Sequence, residues 1–520
     1  MKLIASAAAL IAATLAYSDW TMTILHTNDL HAHVEPAKIG SGMYGGYTRH
    51  ATLIRKFMAS DPNPLLVNAG DTFQGTIYFN VYEGLADLIY LNTMGYRGAA
   101  VGNHEFDRGP QVLANFVQQA QFPVLACNLD VSAEPSLRDL VKPWVIVQVG
   151  KEKIGLIGAV TEDLPTISAI GPNVKMKPIE KALNQAVADL TAKKINKIVL
   201  LSHCGYEPEQ KYAHDIKGLD VIVGGHSHTL LGKFDNKDFP PSQGPYPTVI
   251  NNVDGNKTLI VTSWEWGKVF GRIKVTFDNA GRVKSWSGDQ PIPVTSDIPE
   301  DPLLRADFAA IAKPMQDVRG RVVGSLAAPL NGDREVVRKR ESTMANVIAD
   351  ALLAAGKHEG AQLALLSGGS VRAGMNAGPV TYEEALSVQP FGNSLTILEL
   401  TGKEIMQALE HGVGKWEEGE GRFLHVSQNV RYTFDLAKGP GSRVVSATID
   451  GKPIDEQAKY LVAMNSFMAA GGDAFDVFKN AAGKRINEPE FDVDILMNYL
   501  KEHPQLSESN EGRITILHEK

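Results

Sequence analysis

The sequence predicts two α/β domains joined by a helix, and three observations support this. Between residues 20 and 290, short runs rich in Val, Ile and Leu alternate with amphipathic segments of helical length. A Pro- and Asp-rich stretch at 293–304 then interrupts the pattern. A second alternation of the same kind begins near residue 320. The chain has 520 residues, more than a single hydrophobic core usually supports, so two domains are expected.

The first half contains eight short apolar runs that we interpret as strands. They lie at 22–25, 65–67, 99–101, 123–126, 154–160, 197–201, 220–223 and 258–261. Helix-length segments such as 111–120 and 179–194 separate them, a pattern typical of strands buried on both faces of a sheet. The segment 271–278 instead alternates apolar and polar residues, which indicates an edge strand or an antiparallel strand.

The linker and the second half follow from periodicity. Residues 301–318 have the spacing of one connecting helix, and a strong helix is predicted over 343–357. Strands are predicted at 363–366, 395–400, 430–434 and 443–449. The predicted division is therefore 1–18 as a targeting segment, 19–297 as the first domain, 298–319 as a linker helix and 320–520 as the second domain.

Composition and the N-terminus bear on partners and location. The net charge is −8, which disfavours wrapping by a nucleic acid polymer but allows local binding of small anions. Residues 1–18 combine one Lys, a short apolar run and small residues at the end, as a signal peptide does; a buried N-terminal element is the alternative. With no apolar C-terminal tail in this sequence, we expect a soluble exported protein without a membrane anchor, secreted or, in a bacterium, periplasmic. Cys127 and Cys204 end apolar runs and are expected to be buried free thiols.

Polar residues that can bind metal follow five of the predicted strands. In chain order they are Asp29 and His31, then Asp71, then Asn103 and His104 with Asp107, then His203, and finally His226 and His228. Ligands collect at the carboxyl ends of strands in such sheets, so the five segments should converge on one crevice. Oxygen and nitrogen donors of this kind suit Zn²⁺, Mn²⁺ or Co²⁺. Glycines beside them, at 70, 102, 224 and 225, should let the backbone turn sharply.

Together these segments identify a family resemblance. DLHAH, NAGDTFQG, GNHEFDRG, SHCG and GGHSH resemble the signature blocks of calcineurin-like metallophosphoesterases, and more narrowly those of the 5′-nucleotidase family. LLSGGSVR, VQPFGNSL and NSFMAAGGDAF in the second half resemble that family's C-terminal blocks. The resemblance implies a four-layer αββα sandwich, a connecting helix and a C-terminal α/β substrate-binding domain. The connecting helix at 302–318 would be the hinge about which the second domain rotates.

The resemblance also implies a ligand set for two divalent ions, with zinc expected and manganese or cobalt as alternatives. Asp71 would bridge the two ions. Asp29, His31 and His228 would complete the first position, and Asn103, His203 and His226 the second. His104 would stabilise charge in the transition state, and Asp107 would orient its imidazole.

In the second domain the resemblance implies substrate contacts. Phe391 and Phe467 would sandwich the base, Asp473 would bind the ribose, and Arg338 and Arg372 would grip phosphate, with Arg340 as a rival to Arg338. The expected reaction is removal of phosphate from nucleoside 5′-monophosphates. Hydrolysis of nucleoside di- and triphosphates, UDP-sugars or 2′,3′-cyclic nucleotides is an alternative, and a non-catalytic secreted nucleotide-binding protein is another. Both a monomer and a homodimer are compatible with the sequence.

Overall fold

The computed structural model describes residues 19–39, 42–288, 290–506 and 510–519. The predicted signal peptide lies outside these residues. The first domain contains two large mixed sheets, and the structure confirms a strand at each of the eight predicted positions. The first sheet, in spatial order, consists of Val283–Ser287, Val269–Phe277, Trp20–Thr27, Pro64–Asn68, Ala99–Ala100 and Val124–Leu125, with Ile292–Pro293 paired to the second of these. The second sheet consists of Thr248–Asn251, Lys257–Val261, Val221–Gly224, Ile198–His203, Glu152–Val160 and Trp144–Val149.

The two sheets pack face to face. Ile24 and Val67 of the first sheet and Leu156 and Val199 of the second are fully buried in one apolar cluster between them. Helices cover both outer faces, so the predicted αββα order of layers is confirmed. The helices of this domain are Tyr47–Ser60, Ile77–Tyr82, Leu85–Met94, Pro110–Gln119, Leu164–Ile167, Ile179–Ala192 and Tyr206–Asp215.

The strand Val269–Phe277 is antiparallel, as its alternation predicts, but it does not lie at the sheet edge. It pairs with Trp20–Thr27 on one side and with Val283–Ser287 on the other. Its polar positions are only half-buried, because one face packs on the other sheet and the opposite face carries less cover. The alternation of apolar and polar residues therefore reflects the different burial of the two faces of this strand, and not whether the strand lies at the edge or in the interior of the sheet.

The connecting helix begins at Pro302, where the Asp301 side chain accepts hydrogen bonds from the backbone N–H groups of Leu303 and Leu304. It runs Pro302–Ala312, tightens to a 3₁₀ turn over Lys313–Met315 and ends with Gln316–Arg319. At this end, Arg319 pairs with Glu35 of the first domain and with Glu383 of the second. One cation thus ties both domains to the linker.

The second domain is built on a five-stranded mixed sheet. In spatial order its strands are Leu424–Val426, Leu363–Ser367, Lys459–Asn465, Ser394–Thr401 and Arg485–Phe491. A four-stranded sheet of Lys452–Pro453, Val444–Ile449, Val430–Asp435 and Ile514–Leu517 and a pair of Val322–Leu326 with Gly378–Thr381 complete it. Its helices are Arg334–Val337, Thr343–Gly356, Tyr382–Val388, Gly402–Val413, Ser466–Ala469, Asp476–Lys479 and Asp492–Glu502. Two small antiparallel strand pairs, Ala37–Ile39 with Gly42–Tyr44 and Leu129–Asp130 with Lys175–Met176, lie in the first domain.

Helix boundaries in the second domain follow local sequence signals. Thr381 with Glu384, and Thr401 with Glu404, form capping boxes that begin two helices. The predicted helix over 343–357 begins one residue after Ser342, whose hydroxyl accepts from the backbone of Ala345. Both cysteines are buried free thiols, as expected. Within the described residues, no helix combines the length and apolarity needed to cross a bilayer.

Candidate active site

The structure brings the metal-binding candidates from the five segments into one cluster at the carboxyl ends of the strands. Three overlapping groups form: Asp29 with His31 and His228, His31 with Asp71 and His104, and Asp71 with His203 and His226. In each group the ligand atoms lie within 4.8 Å of one another. Asn103 joins them, with its Oδ1 2.9 Å from Nδ1 of His226. Convergence at one crevice is therefore confirmed.

The ring nitrogens show how these imidazoles are oriented. Nδ1 of His31 faces the backbone oxygen of Phe73 at 3.1 Å, and Nδ1 of His203 faces that of Ala69 at 2.8 Å. A carbonyl can only accept, so each Nδ1 carries the proton and each Nε2 presents a lone pair to the cluster. Nδ1 of His228 contacts the Glu265 carboxylate and is assigned the same way.

In the neutral rings, Nε2 of His31 and Nε2 of His228 are two acceptors 3.1 Å apart, and Nε2 of His203 and Oδ2 of Asp71 are two acceptors 2.9 Å apart. Two acceptors at this distance repel unless a proton or a metal cation lies between them. Burial alone would lower the pKa of His203, but Asp71 raises that pKa to about 10, so the site attracts a proton where no metal is bound. The donor set therefore fits divalent cations.

Two of the cluster histidines are held neutral by their environment, and the neutral imidazole is the form that binds a metal. Burial holds the pKa of His31 well below its ordinary value, although Asp71 opposes the shift. Burial and the neighbouring His203 do the same for His226. Burial would raise the pKa of Asp71, but the surrounding histidines hold it well below the ordinary range, so it stays a carboxylate.

The backbone at the site is strained. Asp29, His31, Asp71, His226 and His228 all have positive φ, between 49° and 77°. Each such residue costs about 1–3 kcal/mol, and such costs concentrate at functional sites. The prediction that the flanking glycines make the sharp turns was only partly right.

Only Gly70 of the four flanking glycines has positive φ, and the other three are needed for close approach. A Cβ on Gly102 would lie 2.3 Å from the backbone nitrogen of Asp71, and one on Gly225 would lie 2.9 Å from Nδ1 of His203. A Cβ on Gly224 would similarly overlap Glu209. The ligands themselves, and not the glycines beside them, make most of the turns.

His104 stands beside the metal candidates with Asp107 behind it. Its Nδ1 lies 2.6 Å from Oδ2 of Asp107, and its Nε2 faces Oδ2 of Asp71 at 3.9 Å. Burial alone would lower the pKa of His104, but the Asp107 and Asp71 carboxylates outweigh it and raise that pKa. Asp107 is itself held by Gln74 and Ser168. The imidazole is thus fixed with Nε2 directed at the crevice.

Glu105 was missed by the sequence reasoning, although it lies inside the GNHEFD block. Its carboxylate accepts hydrogen bonds from the backbone N–H groups of Gly102, Asp71, Thr72 and Phe73, at 2.6–3.2 Å. Burial and the Asp71 charge raise its pKa to about 7. These four hydrogen bonds fix the loop that carries Asp71.

The second domain places an aromatic ring and arginines against this site. The ring of Phe391 stacks on His104 with centroids 5.7 Å apart, and the Arg372 guanidinium lies over Phe391 at 5.5 Å. Arg334, another residue that sequence reasoning missed, lies four residues before Arg338 on the same side of a helical turn. Burial and the neighbouring arginines lower the pKa of Arg334 and Arg338.

The other predicted substrate contacts lie farther into the second domain. Asp473 has positive φ, and its Oδ2 is buried with no hydrogen-bond partner in the part of the chain that the structure describes. Burial raises its pKa, although Arg338 opposes the shift. Phe467 is half-buried and packs against Gly472. Its predicted pairing with Phe391 around a base stays a prediction.

Comparison with known proteins gives the family. Residues 22–230 match the model for calcineurin-like phosphoesterases, and residues 322–480 match that for the C-terminal domain of 5′-nucleotidases. A 5′-nucleotidase of Diplobatis ommata is 35% identical over 95% of this chain and 89% of its own length. The chain belongs to the 5′-nucleotidase family. It is a metal-dependent hydrolase of that family, and the fold and donor set described above agree with this.

Solved structures and further relatives support the assignment. The 5′-nucleotidase precursor of Thermus thermophilus is 43% identical, covers 96% of this chain and 100% of its own, and superposes with a TM-score of 0.93. A trifunctional nucleotide phosphoesterase of Bacillus subtilis is 34% identical over 95% of this chain, which spans only 35% of that longer protein. The domain boundaries at 297 and 319 stay predictions, since the matched ranges end elsewhere.

Proposed function

We propose that this family member is a secreted phosphohydrolase that releases phosphate from nucleoside 5′-monophosphates such as AMP. It would use two divalent ions, of which zinc is the first expectation. The observation that carries the proposal is the cluster of converging imidazole and carboxylate donors with arginines beside it. Asp29, His31 and His228 would hold one ion, and Asn103, His203 and His226 the other, with Asp71 between them. When bound, the two ions supply an activated water at neutral pH and neutralise phosphate charge.

The protein's own side chains then divide the remaining tasks. Arg372 and Arg338, with Arg334 as a neighbour, present guanidinium groups that suit bidentate contact with phosphoryl oxygens. His104 holds a proton at Nε2 for the leaving ribose oxygen, because Asp107 accepts from Nδ1 and favours the cationic ring. Phe391, which contacts both His104 and Arg372, offers an apolar face for a base.

A broader substrate range is the second candidate function. It is favoured by the resemblance to the trifunctional nucleotide phosphoesterase of Bacillus subtilis over nearly the whole of this chain. Base stacking on an aromatic face tolerates several bases, so the pocket described here does not by itself restrict the nucleotide. Di- and triphosphates, UDP-sugars and 2′,3′-cyclic nucleotides are therefore included in the test.

The test is phosphate release from AMP, ADP, ATP, UDP-glucose and 2′,3′-cyclic AMP, each with and without EDTA. We expect AMP to be hydrolysed fastest and all activity to disappear with the chelator and return with Zn²⁺, Mn²⁺ or Co²⁺. Absence of turnover in protein loaded with each metal would overturn the proposal and favour a nucleotide-binding protein. Faster release from another substrate would replace AMP while leaving the chemistry in place.

Two variants separate catalysis from a structural role for His104. His104→Ala should abolish phosphate release while the melting temperature and metal content stay unchanged. His214→Ala is the matched control, because His214 also pairs with an aspartate, Asp215, at 2.6 Å but is exposed. Full activity of the His104 variant would contradict the role proposed for this ring.

Export is tested separately through residues 1–18. We expect the full chain to be recovered outside the cytoplasm with residues 1–18 removed, and a chain expressed without them to stay inside the cell. Recovery of both forms from the same compartment would contradict the signal-peptide prediction.

A further inference from the structure

Among the four imidazoles proposed to hold metal, His228 has a carboxylate described behind its ring, as the non-ligand His104 has. His31 and His203 are held by neutral backbone carbonyls, whereas Nδ1 of His228 contacts the carboxylate of Glu265. A carboxylate behind a metal-binding imidazole fixes its tautomer and makes its other nitrogen a stronger donor than a carbonyl does. The two ligand positions of this site are therefore not equivalent.

Both oxygens of Glu265 are engaged. Oε2 contacts His228, and Oε1 lies 2.6 Å from Nζ of Lys268. Lys268 is only 3% exposed and lies between two indole rings, 4.2 Å from the centroid of Trp264 and 3.9 Å from that of Trp266. The ammonium is thus fixed by Glu265 and two aromatic faces. Because Lys268 holds one carboxylate oxygen, the other oxygen is directed at His228. This arrangement suits a residue that positions the imidazole.

The loop that carries Glu265 is fastened to the loop that carries Asp29. Trp264 and Trp266, on either side of Glu265, both have positive φ, at 60° and 56°. The Asn28 side chain donates to the backbone oxygen of Trp264 and accepts from the backbone N–H of Ser263. The backbone N–H of Trp266 donates to the backbone carbonyl oxygen of Asp29 at 2.6 Å. The left-handed backbone conformation of the two tryptophans and these hydrogen bonds together place Glu265 behind His228.

We propose that Glu265 is a positioning residue that sets the metal affinity of the position formed by Asp29, His31 and His228, with Lys268 holding the carboxylate in place. The inference rests on the two-metal site proposed above and adds a difference in affinity between its two halves. The half formed by Asn103, His203 and His226 lacks such a carboxylate among the contacts described for it.

The test is calorimetric titration of the metal-free full chain with Mn²⁺ and, separately, Zn²⁺. Wild type should bind two ions. Glu265→Ala should weaken one binding step by about 10- to 100-fold and leave the other unchanged. Glu265→Gln keeps an oxygen that can accept from Nδ1, and its loss should be smaller, about fivefold, because a neutral acceptor is the weaker one.

Glu152→Ala is the matched control. Glu152 pairs with the buried Lys197 at 3.0 Å, and Lys197 also lies over an indole, that of Trp20, at 5.8 Å. This pair lies where the strand Glu152–Val160 begins, at the end of the sheet opposite the cluster, so both metal affinities should match wild type.

Four results would overturn the inference. Two unchanged affinities in Glu265→Ala, or equal losses at both steps, would mean that Glu265 does not position His228. If Glu265→Ala fails to fold, Glu265→Gln decides, and wild-type affinity at both steps would then overturn the inference. A wild-type chain that binds no divalent ion would overturn both this inference and the proposed function, whereas two ions with an unaffected Glu265 variant would overturn only the inference.

Discussion

Replacing Asp107 by Asn tests whether the carboxylate behind His104 supports catalysis. The change removes a charge 2.6 Å from Nδ1 of the imidazole but keeps the size of the side chain and an oxygen for Ser168. A hydrogen bond to a charged group contributes about 1.5–3 kcal/mol, which corresponds to a fall in kcat of about 10- to 150-fold. Phosphate release from AMP, measured between pH 5 and 10 with metal content determined in parallel, gives the comparison.

The pH profile separates this reasoning from general damage. Since Asp107 raises the pKa of His104, its loss should lower the pH above which kcat declines. Asp215→Asn is the control, because Asp215 pairs with His214 at the same 2.6 Å on the surface, and it should keep wild-type kcat. An Asp107→Asn enzyme with wild-type kcat across the pH range would refute the reasoning, and so would a uniform loss with the profile unshifted.

Three further predictions concern the contact between the domains, the loop that carries Asp71 and a buried carboxyl group. Arg319→Ala removes the ion pairs with Glu35 and Glu383 and should lower the free energy of unfolding by about 1 kcal/mol. It should also increase the radius of gyration measured by small-angle scattering. An unchanged scattering curve and kcat would show that Arg319 does not restrain the domains. Glu105→Gln turns an amide NH₂ toward backbone N–H donors. It should lower the free energy of unfolding, measured in urea, by about 2–4 kcal/mol and should also lower the metal content. Wild-type stability and metal content would contradict the role of Glu105 in fixing the loop. Burial raises the pKa of Asp87 to about 7, so the folded state keeps a proton that the unfolded chain loses above about pH 4, and this group alone should lower stability by about 1.4 kcal/mol per pH unit between pH 4 and 7. Asp87→Asn should make the measured fall in stability shallower by that amount in a denaturation series, and an unchanged slope would assign the fall to other groups.

Much of the fold could be predicted because its strands are short apolar runs with helices between them. The periodicity identified the central strands, such as 198–203, and the helix 343–356 to within a few residues. The strands Trp144–Val149 and Lys459–Asn465 were not predicted, although Gln148 is the one polar residue of the first and residues 462–465 of the second are buried. A short apolar run of this kind is equally compatible with a buried helical segment, so its periodicity alone does not assign it. Local periodicity records burial, and burial is set by neighbours that are distant in sequence.

The site could be predicted where chemistry and strand ends coincide. Asp71 and His203 follow apolar runs directly, so the rule that ligands collect at strand ends places them. Glu105, Arg334 and Glu265 could not be found this way, since each acts through a contact from another segment. Glu105 binds backbone groups 33 residues away, and Glu265 reaches a histidine 37 residues before it. Only the assembled fold shows such pairings.

Five of the candidate ligands have a left-handed backbone conformation, which restricts the residues that can replace them. Among residues with a Cβ, Asn, Asp and His adopt this conformation most readily, and Asp and His are also donors for the cations expected here. At Asp29 or Asp71, an exchange to Glu would keep the carboxylate but lengthen the side chain on a backbone that already turns sharply. Conformation and coordination thus select the same small group of amino acids at these positions. Swaps between ligand types that look chemically conservative should therefore fail here for reasons of chain geometry.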